Sequence, residues 1–295
     1  MTCKETFDLH ESAEDPMDND DLPVGRRLTR REAVELFGAS AVSLFFARRL
    51  SATALRAPGD GANTLIRLHE LACIVRPEMT EGPYFVDHQL NRADIRSEPV
   101  SGVLSAGVPL TIAFNIASVG NGACAPLADA TIDVWQCDAD GVYSGVNDRM
   151  TGVNTTDKKY LRGFQKTDAN GQTKFTTIYP GWYQGRAVHL HLKIRTIGAD
   201  KNAYEFTSQL FFDDALSDAI FASAPYKQGT RDTRNANDGI YRNGGKEMTL
   251  ALAKSANGYA SVISIGLDLT NAAVGRTDGM GAGGRGRGRG GRGRG

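Results

Sequence analysis

Short runs in which apolar and polar residues alternate recur through the middle of the chain, with the period of two that a β-strand requires. In residues 188–194 the apolar side chains alternate with His189 and His191. Turn-forming residues separate the runs, as at residues 168–171. The pattern predicts strands at residues 110–116, 130–135, 174–178, 188–194, 205–212, 248–252 and 259–269.

Helical patterns are scarce in the same region. The one helix predicted covers residues 215–222, with Asp213 or Asp214 as its N-cap. Many short strands with few helices favour an all-β fold, a β-sandwich or a barrel, with short helices and long loops. We expect residues 66–275 to form this domain and Trp135 to fill its core.

The two histidines of the 188–194 run have a chemical meaning beyond packing. Since successive side chains of a strand point to opposite faces, His189 and His191 share a face that the apolar residues do not. Two adjacent imidazoles can form half of a metal site. Alone, such a pair is more often ordinary structure than a site, so the residues around it decide.

The first 65 residues do not have the composition of a core. Four arginines within residues 26–31 precede a modestly apolar run at residues 36–47 and small residues at 51–54, the order found in export signals. Thr29-Arg30-Arg31 resembles a twin-arginine signal. Glu35 and an acidic stretch before the arginines depart from that pattern. Residues 1–65 are therefore either a largely disordered leader that exports the protein to the periplasm or outside the cell, or a surface helix on a cytoplasmic protein.

The other end of the chain, residues 276–295, is rich in arginine and glycine and contains only these two residue types at its end. Such a segment buries no apolar surface, and we expect it to be disordered. It lacks the interleaved aromatic residues of single-strand nucleic-acid binders, so we expect a solvated basic tail rather than a nucleic-acid site.

Composition narrows the alternatives further. Acidic and basic residues balance to a formal net charge of +0, so overall charge indicates no polyanionic partner. No apolar run is long enough to span a membrane as a helix. The 4 cysteines form no CxxC pair, which argues against zinc-ribbon and thioredoxin-type sites. Cys124 and Cys137 bracket a predicted strand, and they either pair or remain two half-buried thiols.

Tyrosines near the histidines change the metal that the site would select. Tyr183 lies six residues before His189, on a predicted turn, and Tyr143 follows another predicted strand. Phenolate is a hard anionic oxygen donor, which favours Fe(III) when it is combined with imidazole. Because a free tyrosine has a pKa of about 10, it ionises at neutral pH only where a strong Lewis acid replaces the proton.

Several motifs in order carry a family resemblance. They are residues 81–85 (Glu-Gly-Pro-Tyr-Phe), 133–145, 161–163, 177–183, 185–186, 189–191 and 209–212. Together they resemble the intradiol ring-cleavage dioxygenases, specifically the single-chain branch related to protocatechuate and catechol dioxygenases. The resemblance extends from about residue 73 to residue 269. Where relatives often have Trp-His, this chain has Trp135-Gln136, at a position that does not bind the metal.

The resemblance implies a β-sandwich that holds one Fe(III) and opens a catechol ring with O2 to give a cis,cis-muconate-type diacid. It implies Tyr143, Tyr183, His189 and His191 as ligands. Tyr183 would also act as a base, Arg186 would stabilise developing charge, and Gln209 would shape the O2 pocket. Tyr84 and Arg186 would contact substrate, and a homodimer is expected. The alternative is a non-catalytic sandwich that binds an aromatic or other ligand.

Overall fold

The computed structural model describes residues 74–120, 123–148 and 151–270, and the leader and the tail considered above lie outside these ranges. The strands of the described residues are β1 (Pro109–Gly120), β2 (Ala123–Pro126), β3 (Thr131–Trp135), β4 (Asn147–Asp148), β5 (Val153–Asn154), β6 (Arg162–Lys166), β7 (Gln172–Ile178), β8 (His189–Ile197), β9 (Ala203–Phe211), β10 (Ala253–Ser255) and β11 (Gly258–Leu267). The helices are α1 (Asp214–Phe221), α2 (Gly239–Arg242) and a 3-10 turn at Gly245–Met248.

Two sheets form the body of the fold. The first is centred on β1, which pairs in parallel with β11 and antiparallel with β7 and then β2, while β10 lies outside β11. The second has the order β6-β3-β8-β9 and is antiparallel throughout. Buried side chains of both sheets belong to one hydrophobic cluster, so the sheets pack face to face as a β-sandwich. The expected all-β sandwich is confirmed.

Strand β8 shows how the sequence pattern produces the two faces of the second sheet. Leu190, Leu192 and Ile194 are fully buried in the core between the sheets. Burying each of these side chains stabilises the fold by about 1.5–3 kcal/mol. His189 and His191 alternate with them and lie on the outer face, yet they are also buried. Something else must therefore cover that outer face.

The cover is the chain from residue 79 to residue 92, here called the covering segment. Met79 N donates to Thr207 O on β9, and Arg92 N donates to Phe164 O on β6, so the segment crosses the outer face of the sheet. Charged pairs fasten it to β8, where Lys193 binds Glu81 and Arg195 binds Asp87. The metal-ligand candidates thus lie between a sheet and a segment held by ion pairs.

Most predicted elements match the structure to within a few residues, and Asp213 is the N-cap of α1, with its side chain accepting from Leu216 N. The strand predicted at residues 248–252 is wrong, because Met248 ends a 3-10 turn and the strand begins at Ala253. The sequence analysis missed β2, β6 and the β4–β5 hairpin. Among the described residues, no helix is long and apolar enough to cross a membrane.

The two readings of the cysteines are both wrong. Cys137 is a free thiol that is 1% exposed, and Cys124 is disulfide-bonded, so these two do not pair with each other. Burial raises the pKa of the Cys137 thiol. Cys137 therefore behaves as a small apolar side chain packed beside Trp135 and Tyr143.

Candidate metal centre

Strand β8 supplies the two imidazoles of the candidate centre. The Nε2 atoms of His189 and His191 lie 3.1 Å apart, with the side chains almost fully buried. Nδ1 of His189 lies 2.7 Å from Ala187 O, which makes Nδ1 the protonated nitrogen and leaves the Nε2 lone pair for a ligand interaction. The structure confirms that His189 and His191 lie on one face of the strand, as the alternation predicted.

Tyr143 approaches the histidines from the turn after β3. Asp138 shapes this turn, since its Oδ1 accepts from Asp140 N and Val142 N. Gly141 has φ +84, and a Cβ there would lie 2.3 Å from Trp182 O, so only glycine fits against the neighbouring turn. The turn places Tyr143 Oη 3.4 Å from His189 Nε2 and 3.1 Å from His191 Nε2.

Tyr183 approaches from the turn that joins β7 to β8. Gly181 N donates to Asp138 O, and Trp182 Nε1 donates to Lys227 O, so the turn is fastened on two sides. Tyr183 Oη lies 3.1 Å from His189 Nε2. Its side chain is half-buried, in contrast to the buried Tyr143.

These four side chains fit a single metal ion. Tyr143 Oη lies 3.4 Å from His189 Nε2 and 3.1 Å from His191 Nε2, and His189 Nε2 lies 3.1 Å from both Tyr183 Oη and His191 Nε2. Donor atoms that share a metal ion at about 2 Å lie roughly 3 Å from one another. In the described part of the chain no three His, Cys, Asp or Glu side chains form a metal cluster, and two of these four donors are phenols. Two phenol oxygens with two imidazole nitrogens match the preference of Fe(III).

Burial sets the protonation of the four donors. It lowers the pKa of His189, with Arg186 adding to the effect, and it lowers the pKa of His191 well below the ordinary value. Both imidazoles are therefore neutral and able to bind a metal. Burial also raises the pKa of Tyr143 and of Tyr183, so each phenol keeps its proton unless a cation displaces it. Two neutral imidazoles and two phenols that ionise only beside a cation form a donor set suited to a metal ion.

The resemblance implied Arg186 and Gln209 as further residues of the site, and the two side chains are hydrogen-bonded to each other. Gln209 lies directly opposite His191 in the β8–β9 register, and its Oε1 accepts from Arg186 Nη2 at 2.6 Å. Gln209 Nε2 donates to Thr80 O in the covering segment, at 3.0 Å. The other edge of the guanidinium meets Asp238, whose Oδ2 accepts from Arg186 Nε at 3.0 Å.

Tyr84 belongs to the covering segment and reaches the site from above. Its ring stacks on Tyr143 with centroids 4.4 Å apart and meets Tyr183 edge-on at 6.4 Å. Its hydroxyl donates to Asp148 Oδ2 at 3.3 Å. A contact between Tyr84 and substrate stays a prediction.

Two neighbours of the site were not anticipated. Trp135 does not fill the core between the sheets; it lies on the outer face, opposite His191 in the β3–β8 register, and stacks on that imidazole with centroids 4.9 Å apart. Asp238 was not singled out. Knowledge of the β3–β8 register would have placed Trp135 beside His191. No local sequence pattern connects Asp238 to Arg186, which lies 52 residues away.

Comparison with known proteins agrees with this geometry. A family model described as Dioxygenase matches residues 80–249, which is more than half of the chain. The chlorocatechol 1,2-dioxygenase of Pseudomonas putida is 30% identical over 105 residues, which cover 30% of this chain and 36% of that protein. The hydroxyquinol 1,2-dioxygenase of Corynebacterium glutamicum is 30% identical over 101 residues, 34% of this chain and 29% of that protein. The chain thus spans about a third of these curated relatives.

Among solved structures, an intradiol ring-cleavage dioxygenase from Tetranychus urticae matches 68% of this chain and 99% of its own with a TM-score of 0.57 and 27% identity. On the match of the family model, the chain belongs to the intradiol ring-cleavage dioxygenase family.

Proposed function

We propose that this protein is a non-haem Fe(III) dioxygenase that inserts both atoms of O2 into a catecholic ring and opens it between the two hydroxylated carbons. The observation that carries the proposal is a set of two phenolic oxygens and two imidazole nitrogens on the outer face of the second sheet, in which every donor atom lies 3.1 to 3.4 Å from at least one other. Family membership supports the reaction class, and the matched relatives are named for related reactions.

Fe(III) held by these donors would supply Lewis acidity toward the two oxygens of a catechol and would draw electron density from the ring. Tyr143, Tyr183, His189 and His191 are the residues that would hold it. Their mutually close donors, three of them on buried side chains, would provide two negative charges once the phenols are deprotonated, which suits a trivalent cation.

Tyr183 is suited to move a proton during substrate binding. It is half-buried, lies on a turn, and its ring meets the rings of Tyr143 and His189 edge-on rather than stacked. Burial raises the pKa of its hydroxyl, so an ionised Tyr183 oxygen would take up a proton readily. A catechol that binds through two ionised oxygens loses two protons; Tyr183 Oη would accept one, and the other would pass to solvent.

Arg186 supplies a fixed positive charge beside the reacting ring. Burial alone would lower the pKa of Arg186, but Tyr183 and Asp238 together raise it, so the guanidinium stays charged. A cation already in place before reaction stabilises developing negative charge without reorganising. Gln209 holds one edge of this cation and would border the space that O2 enters. Tyr84 would cover the substrate from above.

The test is oxygen uptake by the iron-loaded protein with a panel of catechols, with isotopically labelled O2 and identification of the product. We expect a burgundy colour from tyrosinate-to-iron charge transfer and incorporation of both labelled oxygen atoms. Tyr183→Phe should lower turnover about 100- to 10,000-fold, the usual contribution of a positioned base. Tyr259→Phe, on β11 of the other sheet, is the matched control and should retain activity.

A colourless protein with full iron content would refute tyrosine ligation. A coloured protein that binds catechols without consuming oxygen would be a non-catalytic binding module instead. The expected homodimer and the export of the protein stay predictions, to be checked by light scattering and by cell fractionation.

A further inference from the structure

Asp238 lies at the junction between the loop that follows α1 and the short helix α2. Its side chain is 1% exposed, although a carboxylate is rarely buried unless it is paired. Arg186 and the backbone N–H groups around it lower the pKa of Asp238, although burial alone would raise it, so the buried group is ionised. The question is what this buried charge does.

Its two oxygens bind different parts of the molecule. Oδ2 accepts from Arg186 Nε at 3.0 Å and from Ala187 N at 2.7 Å, and Oδ1 accepts from Tyr241 N at 2.8 Å as the N-cap of α2. Ala187 O in turn lies 2.7 Å from Nδ1 of His189. One carboxylate therefore fixes the guanidinium and, through a single peptide unit, the imidazole of His189.

The guanidinium is thereby held on two of its three nitrogens. Asp238 accepts a hydrogen bond from Nε and Gln209 accepts one from Nη2. Nη1 makes no hydrogen bond to the residues that the structure describes. We propose that Asp238 is a positioning residue, which sets Arg186 relative to His189 and leaves Nη1 as the donor for a bound substrate. This inference rests on the proposed function and adds a residue that neither the motifs nor the metal set contains.

Asp238→Asn is the first test variant. The amide has one acceptor oxygen, so it cannot accept from Arg186 and Ala187 on one side and from Tyr241 on the other. Asp238→Ser is the second variant, because a serine side chain can still cap α2 but loses the hydrogen bond from Arg186. Asp232→Asn is the matched control: Asp232 lies on the same loop, and among the described residues its carboxylate accepts only from Gly185 N, on the turn that carries Tyr183.

The first readout is independent of catalysis. In ¹⁵N-labelled, iron-free protein, the Arg186 Nε–H resonance is identified by its loss in Arg186→Lys. We expect this signal to shift or broaden in Asp238→Asn and Asp238→Ser and to remain in Asp232→Asn. An unchanged signal in both Asp238 variants would overturn the proposal whatever the activity of the protein.

The second readout is a double-mutant cycle on the iron-loaded enzyme, with rates given per bound iron. Each Asp238 variant should lower kcat about 100-fold, the cost of a misplaced catalytic group, with little change in KM. In the Arg186→Lys background the same substitutions should cost less than about threefold, because the residue they position is already altered. Equal losses in both backgrounds would overturn the proposal.

If the wild-type protein consumes no oxygen with any catechol, the proposed function fails, while the resonance comparison still decides whether Asp238 holds Arg186.

Discussion

Tyr143 and His191 are held by stacked aromatic rings, whereas Tyr183 and His189 are held by hydrogen bonds and turns. On the stacked side, Tyr84 covers Tyr143, and Trp135 lies parallel to His191 with an interplanar angle of 9°. Nδ1 of His191 is buried and has no hydrogen-bond partner among the described residues. Away from the four donors, packing rather than a hydrogen bond to Nδ1 therefore orients this imidazole.

The hydrogen-bonded side is organised differently. His189 is oriented by Ala187 O, and Ala187 and Arg186 are held by Asp238. Tyr183 is half-buried at the end of a turn. Donors and acceptors can exchange partners with a ligand, while stacked rings cannot move without opening a cavity. The comparison indicates that the stacked half of the site resists rearrangement, whereas the hydrogen-bonded half can exchange partners with a ligand.

The largest effect should come from the two tyrosines. We expect Tyr143→Phe to lose most of the iron and the visible colour, because Tyr143 Oη is the oxygen donor that lies within 3.4 Å of both imidazole Nε2 atoms. Tyr183→Phe should retain more iron while losing turnover about 100- to 10,000-fold. Iron content, visible absorption and oxygen uptake measure the three quantities. Equal iron loss in the two variants would remove the distinction between the sides.

The stacked side also depends on the ion pairs beneath the covering segment, and this gives a pH prediction. Asp133 binds Arg195, which also binds Asp87. Burial raises the pKa of Asp133 from 3.8 to about 6, because it outweighs the opposing effect of Arg195. The folded state thus binds a proton that the unfolded chain has lost, and stability should fall as the pH rises from about 4 to about 6.

The size of this effect is on the order of 3 kcal/mol, since each pKa unit corresponds to about 1.4 kcal/mol. Urea unfolding of the iron-free protein between pH 4 and 8 measures it. Asp133→Asn removes the titrating group, so its stability relative to the wild type should rise across this pH range. A difference that does not vary with pH would show that Asp133 is ionised throughout.

Trp135 tests whether stacking orients His191. Trp135→Leu should weaken iron binding about 10- to 100-fold, the usual cost of losing a group that orients a metal ligand. Phe175→Leu, in the core between the sheets, is the control. Both should lose about 1–3 kcal/mol of stability as large-to-small changes. Competition with an iron chelator measures the affinity, and an equal affinity in the two variants would show that the stack has no part in it.

The sequence predicted the features that depend on the alternation of side chains and on the order of the motifs. The period of two placed His189 and His191 on one face, and the structure brings Tyr143 and Tyr183 to them. It could not predict the neighbours that depend on register and on distant loops. Trp135 faces His191 only because β3 pairs with β8 in that register, and the 3-10 turn ending at Met248 overrides a run that alternates like a strand.

The smallest expected effect concerns the contact between the covering segment and His191. Gly82 has φ +71, and a Cβ there would lie 3.3 Å from His191 Cε1, while Gly102 has φ +73 with nothing within 4 Å. Replacing either glycine by alanine should cost about 1–2 kcal/mol, because the left-handed backbone disfavours a side chain. Because both substitutions share this cost, Gly102→Ala is the control for the loss of stability caused by the backbone conformation.

Only Gly82→Ala should also disturb the metal site, because its new methyl group presses on the imidazole that Trp135 stacks against from the β3 strand. We expect iron affinity to fall by less than about tenfold, since a contact of this length needs a shift of only a few tenths of an ångström. Urea unfolding and chelator competition on both variants separate the two costs. If both variants bind iron equally well, the covering segment yields to the methyl group, and His191 is held in place by Trp135 rather than by its contact with Gly82.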